Sequence, residues 1–151
     1  MWVREDSLGP EDPALRALPD APAVFIFDEE WYAEHPTAFR RLFFVYESVV
    51  ETFAARGAPA EIRRGAVVRE LIDFCHQYHA DEIHVTRGVA EPYHRYVELL
   101  RANFVVVEYP PDELVQWSGR VPRRFMEFWR DALPRILKEA GEEDGPREVL
   151  R

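Results

Sequence analysis

Cysteine is nearly absent: Cys75 is the only one in 151 residues. An internal disulfide is excluded, and the chain fits a reducing cytoplasm. Long apolar runs are missing too. No stretch approaches the ~20 residues needed to cross a bilayer, and the first residues lack the basic segment and apolar run of a secretory leader. Glycine is scarce, at seven residues, and none of them builds a G-x-G-x-x-G fingerprint or a P-loop. A G-x-S-x-G elbow is also missing. Ser7, Ser48 and Ser118 have no evident base, so the sequence gives no support to nucleophilic catalysis. Positive charge is the last shortage: 19 Lys and Arg stand against 28 Asp and Glu, a net charge of −9. A protein that grips DNA by its phosphates needs a basic face. Arg63-Arg64 and Arg120, Arg123 and Arg124 are local basic clusters, but the overall field opposes direct DNA binding.

What is present is apolar sequence in regular alternation with breakers. Hydrophobic residues make up 47% of the chain, and a domain of this length buries about two thirds of its unfolded surface. Residues 1–4 form a short strand. Asp12 is a good N-cap with Pro13 at the first helical position, so a helix starts there and ends near Pro19. Residues 23–27 are a continuous apolar run, as in a strand buried on both faces. The acidic and aromatic segment 28–36 reads as a loop, and Thr37 is placed to cap the next helix. In that helix Phe39, Leu42, Phe43, Tyr46, Val49, Val50 and Phe53 recur at helical spacing. Gly57 and Pro59 end it.

Residues 60–64 are a third strand. Val67, Val68, Leu71, Ile72 and Cys75 mark another helix. Residues 82–86 are a fourth strand, and 92–102 a helix with Tyr93, Tyr96, Val97 and Leu100 on its apolar side. Residues 104–107 are a fifth strand, stopped by Pro110-Pro111. A last helix runs over 122–140, with Pro134 expected to kink or break it. Its stripe of Phe125, Phe128, Trp129, Ala132, Leu133, Ile136 and Leu137 is wider than one core contact needs; it either packs onto the sheet's own flank or leaves a patch for a partner chain. The charged segment 141–151 contains Gly-Pro and reads as a flexible tail. One domain over 1–140 is therefore expected.

Three segments in order carry a family resemblance. The first is Trp2-Val3-Arg4-Glu5-Asp6-Ser7-Leu8-Gly9-Pro10-Glu11-Asp12-Pro13-Ala14-Leu15, the second Glu91-Pro92-Tyr93, the third Gly119-Arg120 leading to Phe125-Met126-Glu127-Phe128-Trp129-Arg130. They resemble the N-terminal domain of the DNA photolyase/cryptochrome family. Its first strand continues W-F-R-R-D-L-R-L-x-D-N-P-A-L, matched here without a gap at Arg4, Asp6, Pro13, Ala14 and Leu15. Glu5 and Leu8 stand where the family has Arg, and Asp12 where it has Asn. The Arg-Asp pair that usually follows E-P-Y is replaced by Val97-Glu98. In the third segment Met126 and Glu127 replace a Thr-Pro pair.

Five strands alternating with helices imply a parallel α/β sheet. Right-handed crossovers and the resemblance together suggest a Rossmann-like three-layer sandwich, strand order 3-2-1-4-5, plus a C-terminal helix. In such a sheet ligands bind at the carboxyl ends of the strands where the order reverses, here between the first and fourth strands. Arg4, Asp6, Phe27, Asp28, Trp31, Arg87 and Glu91 converge on that rim as candidate binding residues. A planar ligand with a polar edge would stack on the aromatics and bond to the charges; a salt-bridged rim without ligand is the plainer alternative. The turn at Asp6-Ser7-Leu8-Gly9 is a weaker phosphate candidate. Cys75 and His79, four apart on a helix, share a face, but His76 points elsewhere and a fourth ligand is missing, so no metal is assigned.

The resemblance implies an antenna site for a flavin, a deazaflavin or a folate. In the family the FAD pocket, DNA groove and electron-transfer tryptophans belong to a helical domain that would follow Arg151. The chain is therefore expected not to be a DNA repair enzyme itself. Two expectations follow. One is a stand-alone module holding a flavin-, deazaflavin- or nucleotide-like molecule. The other is a ligand-free interaction module, a homodimer or the partner of a separate chain, acting through Phe125, Phe128, Trp129 and Leu133.

Overall fold

A computed structural model describes residues 1–89, 91–113, 115, 117, 120 and 122–139. The chain forms two compact units, Met1–Asp112 and Glu113–Arg151. The expected tail 141–151 lies outside the described residues, as does the expected domain limit at residue 140.

Met1–Asp112 is a doubly wound α/β unit. Five parallel strands, β1 (Trp2–Val3), β2 (Ala23–Asp28), β3 (Ala60–Gly65), β4 (Glu82–Thr86) and β5 (Val105–Tyr109), line up in the order β3-β2-β1-β4-β5. This is the Rossmann-like arrangement and strand order expected. Short β1 is central: Trp2 is in register with Val24 on one side and Val85 on the other.

Side chains alternate across a strand, and the two core clusters follow that alternation. Trp2, Val24, Ile26, Ile83 and Val85 pack against α4 (Val67–Gln77) and α5 (Glu91–Leu100). Val3, Ala23 and Phe25 pack against α1 (Pro13–Ala17) and α3 (Phe39–Ala54). Asp12 caps α1 as expected: its Oδ1 accepts from the Leu15 N–H at 2.8 Å. Its other oxygen accepts from the Ser7 hydroxyl, and Thr86 Oγ1 accepts from the Ala14 N–H at 3.1 Å. The start of α1 is thus satisfied from within the unit.

Four local expectations change. Segment 28–36 is not a loop throughout: α2 spans Glu29–Glu34. Asp28 is its N-cap, accepting from the Trp31 N–H at 3.0 Å, and Glu29 and Glu30 sit in its first turn, where the helix dipole favours acids. Thr37 does not cap α3; its hydroxyl donates to the His35 carbonyl instead, and Ala38 is the N-cap. The apolar stripe of α3 is split. Val45, Val49 and Thr52 are buried, while Phe39, Phe43, Tyr46 and Val50 are exposed. Finally, α4 ends with His79 in the left-handed region (φ 51°), and the Ala80 N–H reaches back to the Cys75 carbonyl at 2.9 Å. His79 serves as the helix terminator, a place usually taken by Gly, so it is not on the helical face of Cys75.

In Glu113–Arg151 the described helix is α6 (Phe125–Glu139). It continues through Pro134 rather than breaking there, and the ring denies the Arg130 carbonyl its helical donor. Trp117 packs beside Phe128 and under Arg135.

Candidate functional site

A cleft of about 230 Å³ opens at the carboxyl ends of β1 and β2, beside the first turns of α5. That is the switch point of the sheet, since β1 leads to β2 on one side and adjoins β4 on the other. The volume is below the ~300–1,000 Å³ of pockets that engulf a drug-sized ligand. A cleft of this size takes one ring system or one acidic group and leaves the rest of the ligand in solvent.

Arg4 is the central residue. It follows β1 directly, so the strand aims it at the cleft floor, and its side chain is only 14% exposed. Its Nη2 pairs with Asp6 Oδ2 at 3.2 Å. The guanidinium lies 4.3 Å above the Tyr93 ring and 5.5 Å from the Trp2 ring, and those two rings stack on each other at 5.8 Å. A cation over paired aromatic faces is favourable. Burial nonetheless lowers the Arg4 pKa, against the opposing pull of Asp6 and Tyr93. One group is left over. Arg4 Nη1 is buried and has no hydrogen-bond partner, and leaving such a donor unmade costs about 1–3 kcal/mol.

The neighbouring backbone explains how the guanidinium fits. Gly88, in the connection from β4 to α5, lies against it: a Cβ added there would stand 1.6 Å from Arg4 Nη1. Only glycine allows this approach.

The second polar element is Asp28, at the end of β2. One carboxylate oxygen caps α2, and the other accepts from the Tyr96 hydroxyl at 2.6 Å. Asp28 is a structural clamp between β2, α2 and α5. Burial, then the bond to Asp28, pushes the Tyr96 phenol up to about 12. Burial also raises Tyr93, whose hydroxyl donates to Glu108 at 2.5 Å. Both phenols are neutral and their protons are committed inward. Trp31, on α2, lines the cleft while 38% exposed, and stacks on His35 at 3.7 Å.

Arg4, Asp6, Asp28 and Trp31 are thus brought together around one cleft, and Phe27, Arg87 and Glu91 are not among its lining residues. Phe27 follows the period of its strand to the other face, where it meets Phe25 at 5.0 Å and Tyr32 at 6.4 Å. Arg87 is exposed and pairs with Glu108 at 3.8 Å. Glu91 is exposed in the first turn of α5. Sequence reasoning missed Gly88 and the cleft roles of Tyr93 and Tyr96. A glycine just past a strand end, opposite an arginine, was the available signal for the first.

Elsewhere, Arg63 is held by Glu61 at 2.7 Å and Arg64 by Glu29 at 2.5 Å, so that basic pair is neutralised locally. Cys75 is buried in the core, and among the described residues no three His, Cys, Asp or Glu side chains converge as a metal site would. No described helix is long and apolar enough to cross a membrane.

Fold and cleft define a Rossmann-like α/β domain with a small recess at its switch point. No protein-family model matches the chain, and no curated protein matches it.

Proposed function

We propose that the chain is a photolyase/cryptochrome-type binding domain that holds the edge of a planar, acceptor-rich molecule, a flavin, deazaflavin or folate, at the switch-point cleft. The observation that carries this reading is the buried, unpartnered Nη1 of Arg4. A carbonyl or phosphate oxygen entering the cleft supplies the acceptor that the fold withholds, and the guanidinium turns off Gly88 to meet it. Trp31 offers an exposed ring at the same cleft for the ligand plane. The residues that replace the family's arginines also suit this reading. Glu5 pairs with Arg41 and accepts from Tyr32, and Leu8 packs on the second core cluster. Both serve this unit's own folding.

The test is a titration with FMN, read by quenching of tryptophan fluorescence, beside an ultraviolet–visible scan and native mass spectrum of protein purified in dim light. Saturable quenching is expected, lost in Arg4→Met and kept in Arg87→Ala. A folded wild type that neither carries a chromophore nor binds FMN or folate saturably sinks the reading.

A second reading is an interaction module acting through α6. It draws on Phe125 and Met126, 69% and 58% exposed, and on the stack of Phe125 with Trp129 at 5.9 Å. Protein without ligand whose mass in solution changes on Trp129→Glu favours it.

A further inference from the structure

Helix α3 has more apolar surface than the sheet covers. Its inner side is Val45, Val49 and Thr52, all buried. On another side Phe39, Phe43, Tyr46 and Val50 run along the helix, 77%, 48%, 47% and 41% exposed. Phe39 and Phe43 already stack on each other at 6.0 Å. Successive members are four, three and four residues apart, which is the alternation of a coiled-coil seam. At ~200 Å² per aromatic side chain, the three rings leave roughly 350 Å² open to water, and Val50 adds to it. That is the size of the largest apolar patch on a typical monomer, which is often functional.

The charges beside the stripe are sorted by position. Arg40 stands at its N-terminal end, and Glu47 and Glu51 towards its C-terminal end. All three are exposed, and none has an ion-pair partner among the described residues. The neighbouring Arg41 does have one, Glu5. With Phe39 and Tyr46 at d and Phe43 and Val50 at a, Arg40 and Glu47 take the e positions, the flank turned towards a partner helix.

We propose that α3 is a homodimer interface, in which it packs antiparallel against α3 of a second copy. A two-fold axis between Phe43 and Tyr46 sets Phe39 opposite Val50 of the second copy and Phe43 opposite its Tyr46. The same axis brings Arg40 between Glu47 and Glu51 of the second copy, twice by symmetry. A parallel pairing instead faces the e positions with g positions, here the apolar Leu42 and Val49, so only the antiparallel one gives Arg40 an opposite charge. The stripes bury about 800 Å² in total, below the ~1,200 Å² of a stable specific interface, so the dimer is weak and concentration-dependent. No residue of α3 lines the switch-point cleft, so this proposal stands or falls apart from ligand binding.

Sedimentation velocity of the full chain across a concentration series tests it. The wild type is expected to move from monomer to dimer, and Phe43→Glu with Tyr46→Glu to stay monomeric at an unchanged thermal melt. Arg40→Glu alone, and Glu47→Arg with Glu51→Arg alone, should each weaken the dimer roughly tenfold by setting like charges opposite one another. All three changes together should restore it with the signs exchanged. A wild type that is monomeric at every concentration overturns the proposal. So does a dimer that survives Phe43→Glu with Tyr46→Glu but dissociates on Trp129→Glu, which moves the interface to α6.

Discussion

Helices α3 and α4 cover opposite faces of one sheet, and they use their apolar residues differently. In α4, Val67, Leu71, Phe74 and Cys75 are all buried, and they join Trp2, Ile26, Tyr93 and Leu100 in a single continuous cluster. In α3 only Val45, Val49 and Thr52 are buried, and the two valines form a smaller cluster with Val3, Leu15 and Phe25. The sheet itself sets the difference. Its large inward residues, Trp2, Ile26 and Ile83, point to the α4 and α5 side, while the α3 side receives Val3, Ala23 and Phe25. Stability is therefore concentrated in one layer, and surplus apolar surface in the other. A helix can be strongly amphipathic and still have a second apolar edge, because 3.6 residues per turn leave room for two stripes.

The largest expected effect tests where the stability sits. Leu71, 1% exposed, should cost roughly 2–5 kcal/mol when cut to alanine. Val49, fully buried in the other layer, should cost only about 1–3 kcal/mol, from ~0.8 kcal/mol per buried CH₂ plus a small cavity. Urea unfolding of the two variants reads the contrast. Equal losses, or a greater one at Val49, would break the comparison.

A smaller effect belongs to the cleft, which draws its walls from the α5 layer. Gly88→Ala drives a methyl group into the space of Arg4 Nη1 and should destabilise by about 1–3 kcal/mol, the usual cost of overpacking. In an Arg4→Ala background most of that cost should vanish, because the two sites share one space. A double-mutant cycle by chemical denaturation measures the coupling. Additive losses show that Gly88 answers to something other than the arginine.

The alternation of five strands with helices was legible in the sequence because it rests on period; the strand order came from right-handed crossovers together with the resemblance, and the position of the cleft followed from that order. What was illegible depended on faces. Phe27 and Asp28 are neighbours on one strand, so only one of them turns to the cleft, and it is Asp28 that lines it. The seven apolar residues counted along α3 fit one helix well, yet their spacing could not say that Val49 goes inward while Phe43 and Tyr46 go outward. Helix α2 was hidden by its six residues, too few for a periodic signal, although Asp28-Glu29-Glu30 is a sound cap and first turn. Tyr93 and Tyr96 were legible as the buried side of α5, and they are buried, at 1% and 5% exposed. Their hydroxyl partners, Glu108 and Asp28, come from β5 and β2, and no local pattern announces contacts so distant in sequence.

Those two phenols sharpen the comparison at high pH. Tyr96 has its value pushed up from 10.0 to about 12, and Tyr93 is raised as well, both chiefly by burial in the α4 and α5 layer. A raised folded value means that the folded state keeps its proton after the unfolded chain has lost it. The contribution is complete below pH ~10, where both states are neutral, and declines as pH climbs towards about 12. Tyr32, also pushed up to about 12 and bonded to Glu5, shares the window from the edge of the cleft. Tyr96→Phe deletes one of the three. It should lower stability near neutral pH by about 0.5–1.5 kcal/mol through the lost bond to Asp28, and make the alkaline decline shallower. Thermal melts between neutral pH and pH ~12, with the phenolate absorbance followed in parallel, would reveal it. An identical alkaline decline in wild type and Tyr96→Phe means that Tyr96 ionises no later in the folded chain than in the unfolded one, and that its layer is looser than the buried cluster implies.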